Sequence, residues 1–397
     1  MNYRQAVTYL ESFQKMGIRL GLDRIRTLLS LLGDPQDDFR AIHIAGTNGK
    51  GSVAAMLSSI LYRSGYKVGL YTSPHLVDYT ERIRINEKDI LKTKFATAVA
   101  KVKKVIDELP KIDLTEFEVL TAVGYLLLSQ EKVEIAVIEV GLGGRMDATN
   151  IIIPILSIIT NIDYDHVDVL GNSLSKIARE KAGIIKAGVP LVTGEKKVWR
   201  ILYNICKNQG SKFIRSNDLR VKHLPLLGSH QVENTKIVIA AVKVLRELGI
   251  KISNKQLDIG LRHTFWPGRL QVVSKKPFII LDGAHNPAGA RALFKYLRAL
   301  NKKITFIIGM QNNKDVKKFV KILKPIADRF IVVRSSNPRA SSKGVIAGKI
   351  KLAGGKAIIA KNLESALIQS KKIGDPVCIT GSLYLVGDAL KKKLFDL

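Results

Sequence analysis

Short apolar runs alternate with helical segments in the first part of the chain. Arg40–Ala45 and Lys67–Tyr71 have the length and apolar character of strands, and Val53–Ser64 between them has apolar residues at helical spacing. Two further strand-like runs, Ile135–Val140 and Ile151–Thr160, end in polar or glycine residues. This order predicts an α/β unit with a parallel-rich sheet. Ligands of such sheets gather at the carboxyl ends of strands, so the residues after these runs are where we look for chemistry.

A second alternation of the same kind starts near Pro277. The predicted strands are Phe278–Leu281, Ile304–Ile308, Phe330–Val333, Ala357–Ile359 and Val377–Thr380. The predicted helices lie around Gly289–Leu300, Asp315–Ala327, Ser341–Leu352 and Leu363–Ser370. We therefore expect two domains, residues 1–274 and a smaller doubly wound, Rossmann-like domain of residues 275–397. Loop signals are dense from Trp266 to Pro277, which predicts a hinge there.

Composition supports a folded globular protein. Hydrophobic residues make up 46% and charged residues 25% of the 397 positions. The longest apolar run is far shorter than the roughly 20 residues of a membrane-spanning helix, and the N-terminus lacks the pattern of a secretion signal. The two cysteines, Cys206 and Cys378, are too few for a disulfide framework. We expect a cytoplasmic protein without a membrane partner.

The chain is strongly basic. It has 64 Lys and Arg against 34 Asp and Glu, a formal net charge of +30. From residue 291 to 397 there are 23 Lys and Arg against 6 Asp and Glu. Such a charge attracts anions, including nucleic acid and acidic substrates. Apart from one triplet, Lys391–Lys393, the basic residues of this segment stand singly or in pairs, and aromatic residues are not interleaved with them. We therefore favour a solvated surface or general anion attraction over a nucleic-acid site.

A glycine-rich turn joins the first strand to the first long helix. Its sequence is Gly46-Thr47-Asn48-Gly49-Lys50-Gly51-Ser52. Glycines let backbone N–H groups converge on phosphate oxygens, the helix N-terminus adds positive potential, and Lys50 supplies a charge for the β- and γ-phosphates. The loop is shorter than the common Walker spacing, and Gly51 separates Lys50 from Ser52. It predicts a P-loop ATPase domain.

Other candidates follow the later strands. Glu139 ends a strand, where a carboxylate near a phosphate loop suits Mg²⁺. His166 follows the next strand and can be a ligand or a structural histidine. Ser73, in the turn Thr72–Leu76, offers a hydroxyl to a metal or orders a loop. Lys181 lies at a predicted helix end, and its spacing alone indicates a surface lysine.

Three further residues suggest a nucleotide held by more than the loop. Asn234 belongs to the segment that opens a long helix, where its amide can contact an adenine ring or cap the helix. Arg269 and Asp282 flank the predicted hinge. They suit a nucleotide clamped between domains, or a structural salt bridge.

Together these segments resemble the folylpolyglutamate synthase/dihydrofolate synthase family of the Mur ligase superfamily. The resemblance is collinear and runs along essentially the whole chain. The matching segments are Leu22–Ile25, Gly46–Ser52, Thr72–Leu76, Glu81–Ile83, Thr115–Thr121, Glu139–Asn150, Asp163–Asp168, Arg179–Ile184, His230–Asn234, Trp266–Arg269 and Asp282–Pro287. The chain departs from the family's usual leucine at Met146, a mild change.

The resemblance implies a role for each matching position. For ATP these are the loop Gly46–Ser52 with Asn234, Arg269 and Asp282. For magnesium, one ion or two, they are Ser73, Glu139 and His166, and a monovalent cation is a further candidate cofactor. Lys181 corresponds to a lysine that is carbamylated in the family. The resemblance assigns the catalytic roles to Lys50, Lys181 and His166. The pterin end of the acceptor is assigned to Asp23, Arg24, Phe117, Glu118, Met146, Asp147 and Ala148. Weaker assignments for the incoming glutamate are His285 and Ser382.

The implied reaction joins L-glutamate to a folate or to dihydropteroate. The acceptor carboxylate attacks the γ-phosphate of ATP, and the glutamate amine then attacks the acyl phosphate. Tetrahydrofolate and dihydropteroate both remain candidate acceptors, and we expect a monomer. The alternatives are another Mur-type amino-acid ligase, which the pterin-side segments disfavour, and a basic P-loop ATPase stimulated by nucleic acid.

Overall fold

The protein is described by a computed structural model that covers residues 1–109, 112–216, 221, 226–373, 376–392 and 394–395. The chain forms two compact units. The first comprises Met1–Pro225 and Glu233–Thr264, and the second comprises Leu226–Val232 and Phe265–Leu397. Each unit is built on its own sheet.

The sheet of the first unit is parallel apart from one strand next to its edge. Among the described residues its strands are β1 Arg40–Ala45, β2 Val68–Tyr71, β3 Ile83–Ile85, β4 Lys88–Asp89, β5 Ile135–Glu139, β6 Leu156–Ile159, β7 Leu191–Thr193 and β8 Phe213–Arg215. They lie in the order β4-β3-β2-β5-β1-β6-β7-β8, and β3 pairs antiparallel with both β2 and β4. Strand β5 is buried at every position, as expected for a parallel strand covered on both faces.

Helices cover this sheet. They are α1 Tyr3–Glu11, α2 Asp23–Leu31, α3 Lys50–Arg63, α4 Lys92–Glu108, α5 Glu116–Gln130, α6 Val167–Leu170, α7 Leu174–Lys181, α8 Trp199–Asn208, α9 His230–Glu247 and α10 Asn254–Arg262. One apolar core packs α1, α2, α4 and α5 against β5, and another packs α7 and α8 against the ends of β1 and β6. No helix in the described part of the chain is long and apolar enough to cross a membrane.

The second unit is a smaller doubly wound domain. Its strands among the described residues are β9 Gln271–Lys275, β10 Phe278–Leu281, β11 Ile304–Ile308, β12 Ala327–Val332, β13 Ala357–Ile359 and β14 Val377–Thr380. Its helices are α11 Pro287–Arg298, α12 Val316–Leu323, α13 Lys343–Leu352, α14 Leu363–Ile373 and α15 Leu383–Lys391. The strand order is β13-β12-β11-β14-β10-β9, and β9 alone runs antiparallel within it.

The predicted fold class is confirmed, and two details differ from the prediction. The segment predicted as a hinge contains β9, which pairs with β10, so the predicted boundary between residues 274 and 275 falls inside a strand. The second unit resumes at Phe265. The predicted strand Ile151–Thr160 was wrong in its first half, because Ala148–Ile151 forms a 3₁₀ turn capped by Asp147 and the strand begins at Leu156.

Candidate active site

Four loops of the first unit meet at one edge of its sheet. The strand order β2-β5-β1-β6 makes these strands neighbours, and all four are parallel. Ser73 follows β2, Glu139 is the last residue of β5, Gly46–Ser52 follows β1, and His166 follows β6. Carboxyl ends of adjacent parallel strands share one edge, so the sequence prediction that chemistry gathers there has a geometric basis.

The glycine-rich loop depends on glycine at two positions. Gly46 has φ of 150° and Gly49, which caps α3, has φ of 86°. A Cβ added at Gly46 would lie 1.8 Å from Thr160 Oγ1, and one at Gly49 would lie 2.4 Å from Asn234 Oδ1. The Asn234 amide, predicted to contact the nucleotide, therefore lies directly against the loop. Left-handed backbone and close packing together require glycine at Gly49.

The segment after β6 braces the loop. Thr47 N–H donates to the Asn161 carbonyl (2.9 Å), and Asn48 N–H donates to Asn161 Oδ1 (3.1 Å). The Thr160 hydroxyl donates to the Asn48 carbonyl (2.6 Å). Sequence reasoning missed Thr160 and Asn161, although polar residues directly after a predicted strand were a usable signal.

Two amines converge on one carbonyl of the loop. Lys50 Nζ donates to the Gly46 carbonyl at 3.2 Å, and Lys181 Nζ donates to the same oxygen at 3.0 Å. Lys50 Nζ also lies 4.0 Å from Glu139 Oε1. Lys181 is only 4% exposed, so the surface-lysine reading of its spacing was wrong. Burial, aided by the charge of Lys50, lowers the pKa of Lys181 to about 7.

The predicted magnesium ligands are brought together in part. Glu139 is buried, and its Oε2 accepts a hydrogen bond from the Ser73 backbone N–H (3.3 Å). His166 lies on the neighbouring loop, where its Nε2 is 3.9 Å from Asp165 Oδ1. The described residues contain no group of three His, Cys, Asp or Glu side chains that could hold a metal. A carboxylate beside a serine still fits Mg²⁺, which is usually held by one or two carboxylates, phosphates and water.

The predicted acceptor residues cluster around the loop that follows β5. Asp147 closes this loop: its Oδ2 accepts from Leu142 N–H (2.7 Å), and burial raises the pKa of its carboxyl. The Phe117 ring covers the start of the loop, since a Cβ at Gly141 would lie 2.5 Å from Phe117 Cζ. Met146 is 36% exposed. Ala148 is buried in the turn that Asp147 caps.

Arg24 and Glu118, two further predicted acceptor residues, form an ion pair. Arg24 Nε lies 3.0 Å from Glu118 Oε1, while Glu118 Oε2 accepts from the backbone N–H and the hydroxyl of Thr115 at 2.8 Å each. Glu118 thus completes a capping box at the start of α5 and orients Arg24. Asp23 is separate from this pair: its carboxylate points to solvent and lies 3.4 Å from Arg26.

Lys181 and the loop after β5 are fixed to each other. Arg145 N–H donates to the Glu180 carbonyl (2.8 Å). A Cβ at Gly144 would lie 2.8 Å from the Lys181 carbonyl, and one at Gly183 would lie 2.3 Å from Arg145 Cα. The backbone of the predicted acceptor loop is therefore packed against the end of α7 that carries the buried amine.

In the second unit, Asp282 lies at the end of β10. Its Oδ2 accepts from Leu270 N–H and its Oδ1 from Ala284 N–H, both at 3.0 Å. His230 is near the charges of Asp282 and Arg269, and burial lowers its pKa. The structure thus groups the predicted nucleotide residues Arg269 and Asp282 with a histidine to which sequence reasoning gave no role of its own.

The two predicted glutamate contacts follow adjacent strands of this unit. His285 comes after β10 and Ser382 after β14, and these strands pair in parallel. Gly381 N–H donates to the Ala284 carbonyl (2.9 Å), which joins the two loops. The hydroxyl of Ser382 accepts from Tyr384 N–H (3.1 Å) and caps α15. His285 Nδ1 donates to the Gly283 carbonyl (2.9 Å).

Comparison with known families agrees with this arrangement. The Mur ligase middle domain matches residues 44–215, and the Mur ligase glutamate ligase domain matches residues 268–383. The first match contains the glycine-rich loop and Lys181, and the second contains Asp282 and Ser382. The chain is therefore an ATP-dependent ligase of the Mur type.

Relatives that match along the whole chain identify the family within the Mur-type ligases. The chain is 33% identical to the dihydrofolate synthase/folylpolyglutamate synthase of Bacillus subtilis over 98% of its own length and 99% of the relative's. It is 36% identical to the folylpolyglutamate synthase of Lacticaseibacillus casei over 97% of both chains. This chain belongs to the folylpolyglutamate synthase/dihydrofolate synthase family.

Solved structures agree over the whole chain. Escherichia coli FolC in complex with DHPP and ADP superposes with a TM-score of 0.90 at 28% identity, covering 99% of this chain and 97% of that one. Mycobacterium tuberculosis folylpolyglutamate synthase complexed with ADP and AMPPCP gives 0.92 at 30% identity, covering both chains fully (100% each). A Yersinia pestis relative, a bifunctional folylpolyglutamate synthase/dihydrofolate synthase, was solved with AMPPNP and a Mn ion.

Proposed function

We propose that this enzyme uses ATP to join L-glutamate to the carboxylate of a folate, of dihydropteroate, or of both. The observation that carries the proposal is the convergence of Lys50 and Lys181 on the glycine-rich loop, beside the loop that Asp147 closes and the Phe117 ring covers. A phosphate site and an acceptor site at one sheet edge suit transfer of a phosphoryl group to a bound carboxylate.

The first step we infer is phosphoryl transfer. The acceptor carboxylate attacks the γ-phosphorus, the bond from that phosphorus to the bridging oxygen breaks, and ADP leaves. Lys50 and the backbone N–H groups of the loop stabilise negative charge on the phosphoryl oxygens. The α-amine of L-glutamate then attacks the acyl carbon, its proton is taken up by water or a basic group, and phosphate leaves. We assign the glutamate to His285 and Ser382.

We propose that Glu139 and Ser73 hold Mg²⁺, with His166 as a ligand of the same or a second ion. When bound, the metal would draw charge from the phosphate oxygens. Glu139 supports this assignment because its carboxylate is buried next to the loop and points to Lys50 and the Ser73 backbone. The protein's part is to hold that carboxylate in a fixed position at the strand end.

We propose further that Lys181 reacts with carbon dioxide to form a carbamate. The ammonium group first loses one proton, and the neutral amine then attacks the carbon of CO₂ and loses a second proton, so a cation becomes an anion. A pKa of about 7 leaves a large neutral fraction at physiological pH, whereas an ordinary lysine is almost fully protonated there. The test is mass spectrometry of the native protein with and without bicarbonate. Identical masses, and activity indifferent to bicarbonate, would contradict the carbamate.

A panel of acceptors tests the function as a whole. Purified protein with ATP, Mg²⁺ and L-glutamate receives dihydropteroate, tetrahydrofolate or single-stranded DNA in turn, and ADP release is followed together with acceptor mass. We expect ADP release with at least one pteridine acceptor, matched by the mass of one added glutamyl residue. ADP release only with DNA would replace this proposal by a nucleic-acid ATPase. We propose a cytoplasmic location, and we expect the active species to be a monomer, which the elution volume in the same buffer checks.

A further inference from the structure

His43 is a fully buried histidine in the central strand of the first unit. It lies in β1, three residues before Gly46. Its Nε2 is 2.9 Å from the hydroxyl of Thr149, and its Nδ1 has no hydrogen-bond partner among the described residues. Burial of a half-satisfied imidazole costs stability, so its position invites a functional explanation.

The hydrogen bonds beyond His43 have a defined direction. The Thr149 hydroxyl donates its only proton to Asp147 Oδ1 (2.5 Å), so Thr149 Oγ1 accepts from His43 Nε2–H. Asp147 Oδ2 in turn accepts from Leu142 N–H (2.7 Å). A continuous line of hydrogen bonds thus runs from β1 to the loop after β5.

His43 acts here as a fixed neutral donor. Burial, aided by the charge of Lys186, lowers its pKa to about 3. Lys186 Nζ donates to the Asn150 carbonyl (3.2 Å) in the turn that contains Thr149. The imidazole therefore stays neutral at working pH, and its contribution is the direction of one N–H group rather than transfer of a proton.

We propose that His43 is a positioning residue for the acceptor: through Thr149 and Asp147 it holds the loop after β5 in register with the phosphate loop after β1. The inference rests on the proposed function. Strand β1 leads directly into Gly46, and Asp147 closes the loop that Phe117 covers. A fixed distance between these loops sets the distance between the acceptor carboxylate and the γ-phosphate, on which an in-line transfer depends steeply.

Steady-state kinetics of three variants test the proposal. His43→Leu removes the donor, Thr149→Val removes the relay at nearly constant volume, and His43→Gln keeps an N–H donor at similar reach. We expect His43→Leu and Thr149→Val to lower kcat/KM for the pteridine acceptor about tenfold or more, and to change KM for ATP less than about twofold. His43→Gln should keep most of the wild-type kcat/KM, because it retains an N–H donor. The double variant His43→Leu/Thr149→Val should be no worse than either single one.

Tyr125→Phe is the matched control. The Tyr125 hydroxyl donates to the Thr149 carbonyl (2.9 Å), so its loss loosens the same turn while the line from His43 to Leu142 stays intact. We expect it to change kcat/KM less than about twofold, even where it lowers stability as much as Thr149→Val. Equal kinetic losses in Tyr125→Phe and Thr149→Val, or in His43→Leu and His43→Gln, would overturn the proposal and leave His43 with a packing role.

Hydrogen exchange separates this inference from the proposed function. In the protein without substrates, exchange of the Leu142 amide should be at least about tenfold faster in Thr149→Val than in wild type. Unchanged protection of Leu142 overturns the positioning role, whichever reaction the enzyme catalyses. Faster exchange in a protein whose wild type adds no glutamate would instead show that the hydrogen-bonded line exists and the proposed function is wrong.

Discussion

Replacing the buried amine of Lys181 by a methionine should stabilise the fold while it abolishes ligation. Methionine fills a similar volume without a charge, so the variant removes the cost of burying an amine. It also loses the hydrogen bond from Nζ to the Gly46 carbonyl, worth about 1 kcal/mol. A buried amine that destabilises the fold beside a phosphate loop is a candidate for a role in the chemistry.

The size of the effect follows from the pKa of Lys181. This pKa is lowered from 10.5 to about 7 in the folded protein. Between pH 7 and pH 10.5 the unfolded chain therefore binds more protons at Lys181 than the folded protein does. Stability from this group is therefore lowest below pH 7 and rises as pH climbs towards 10.5. The cost of the buried amine is about 4 kcal/mol at pH 7 and about 2 kcal/mol at pH 9. Once the lost hydrogen bond is subtracted, Lys181→Met should raise the free energy of unfolding by about 3 kcal/mol at pH 7 and by about 1 kcal/mol at pH 9.

Urea unfolding at the two pH values measures this difference. A Trp266→Phe background leaves Trp199, in the first unit, as the fluorescent reporter. Buffers are depleted of carbon dioxide so that Lys181 remains an amine. Lys176→Met, an exposed lysine on the same helix, is the control and should change stability by less than about 0.5 kcal/mol at both pH values. If Lys181→Met does not raise the free energy of unfolding at pH 7, or raises it equally at pH 7 and pH 9, the buried amine does not destabilise the fold as we infer.

Three further substitutions and one control test the proposed nucleotide and metal sites. Lys50→Ala should lower the ligation rate by at least about 10³-fold with unchanged circular dichroism, because the loop loses its charge for the transferring phosphate; retained activity would contradict that role. Gly49→Ala should raise KM for ATP about tenfold or more by pushing Asn234 away, whereas Gly65→Ala, with the same left-handed backbone but open space around it, should leave KM unchanged. Glu139→Gln should raise the Mg²⁺ concentration for half-maximal rate about tenfold, and an unchanged Mg²⁺ titration would remove Glu139 from the metal site.

The sequence predicted those parts of the site that depend on local chemistry. Gly46–Ser52 was recognisable because glycines, a lysine and a serine stand between an apolar strand and a helix. Glu139 was a candidate because it ends a strand near the loop, and Ser73 because its hydroxyl lies in the turn after another strand. Such features need only the periodicity of a few residues and the rule that ligands gather at strand ends.

The parts that depend on distant residues were not predictable from pattern. Lys181 was assigned to the surface on spacing alone, because nothing local shows that its amine reaches the Gly46 carbonyl, 135 residues away in sequence. The bracing of Asn48 by Asn161 spans 113 residues. Strand β9 was taken for a hinge because its residues are mostly half exposed and flank Lys276-Pro277, so the apolar alternation is weak.

The central claim is that ATP activates the acceptor as an acyl phosphate before glutamate attacks. Oxygen-18 in the acceptor carboxylate tests it directly, since the attacking oxygen stays with phosphorus when the amide forms. The account predicts one labelled oxygen in the released phosphate for each glutamyl residue added. Phosphate without label, while glutamate is added, would contradict the acyl phosphate, and phosphate released without any glutamyl product would contradict the ligase itself.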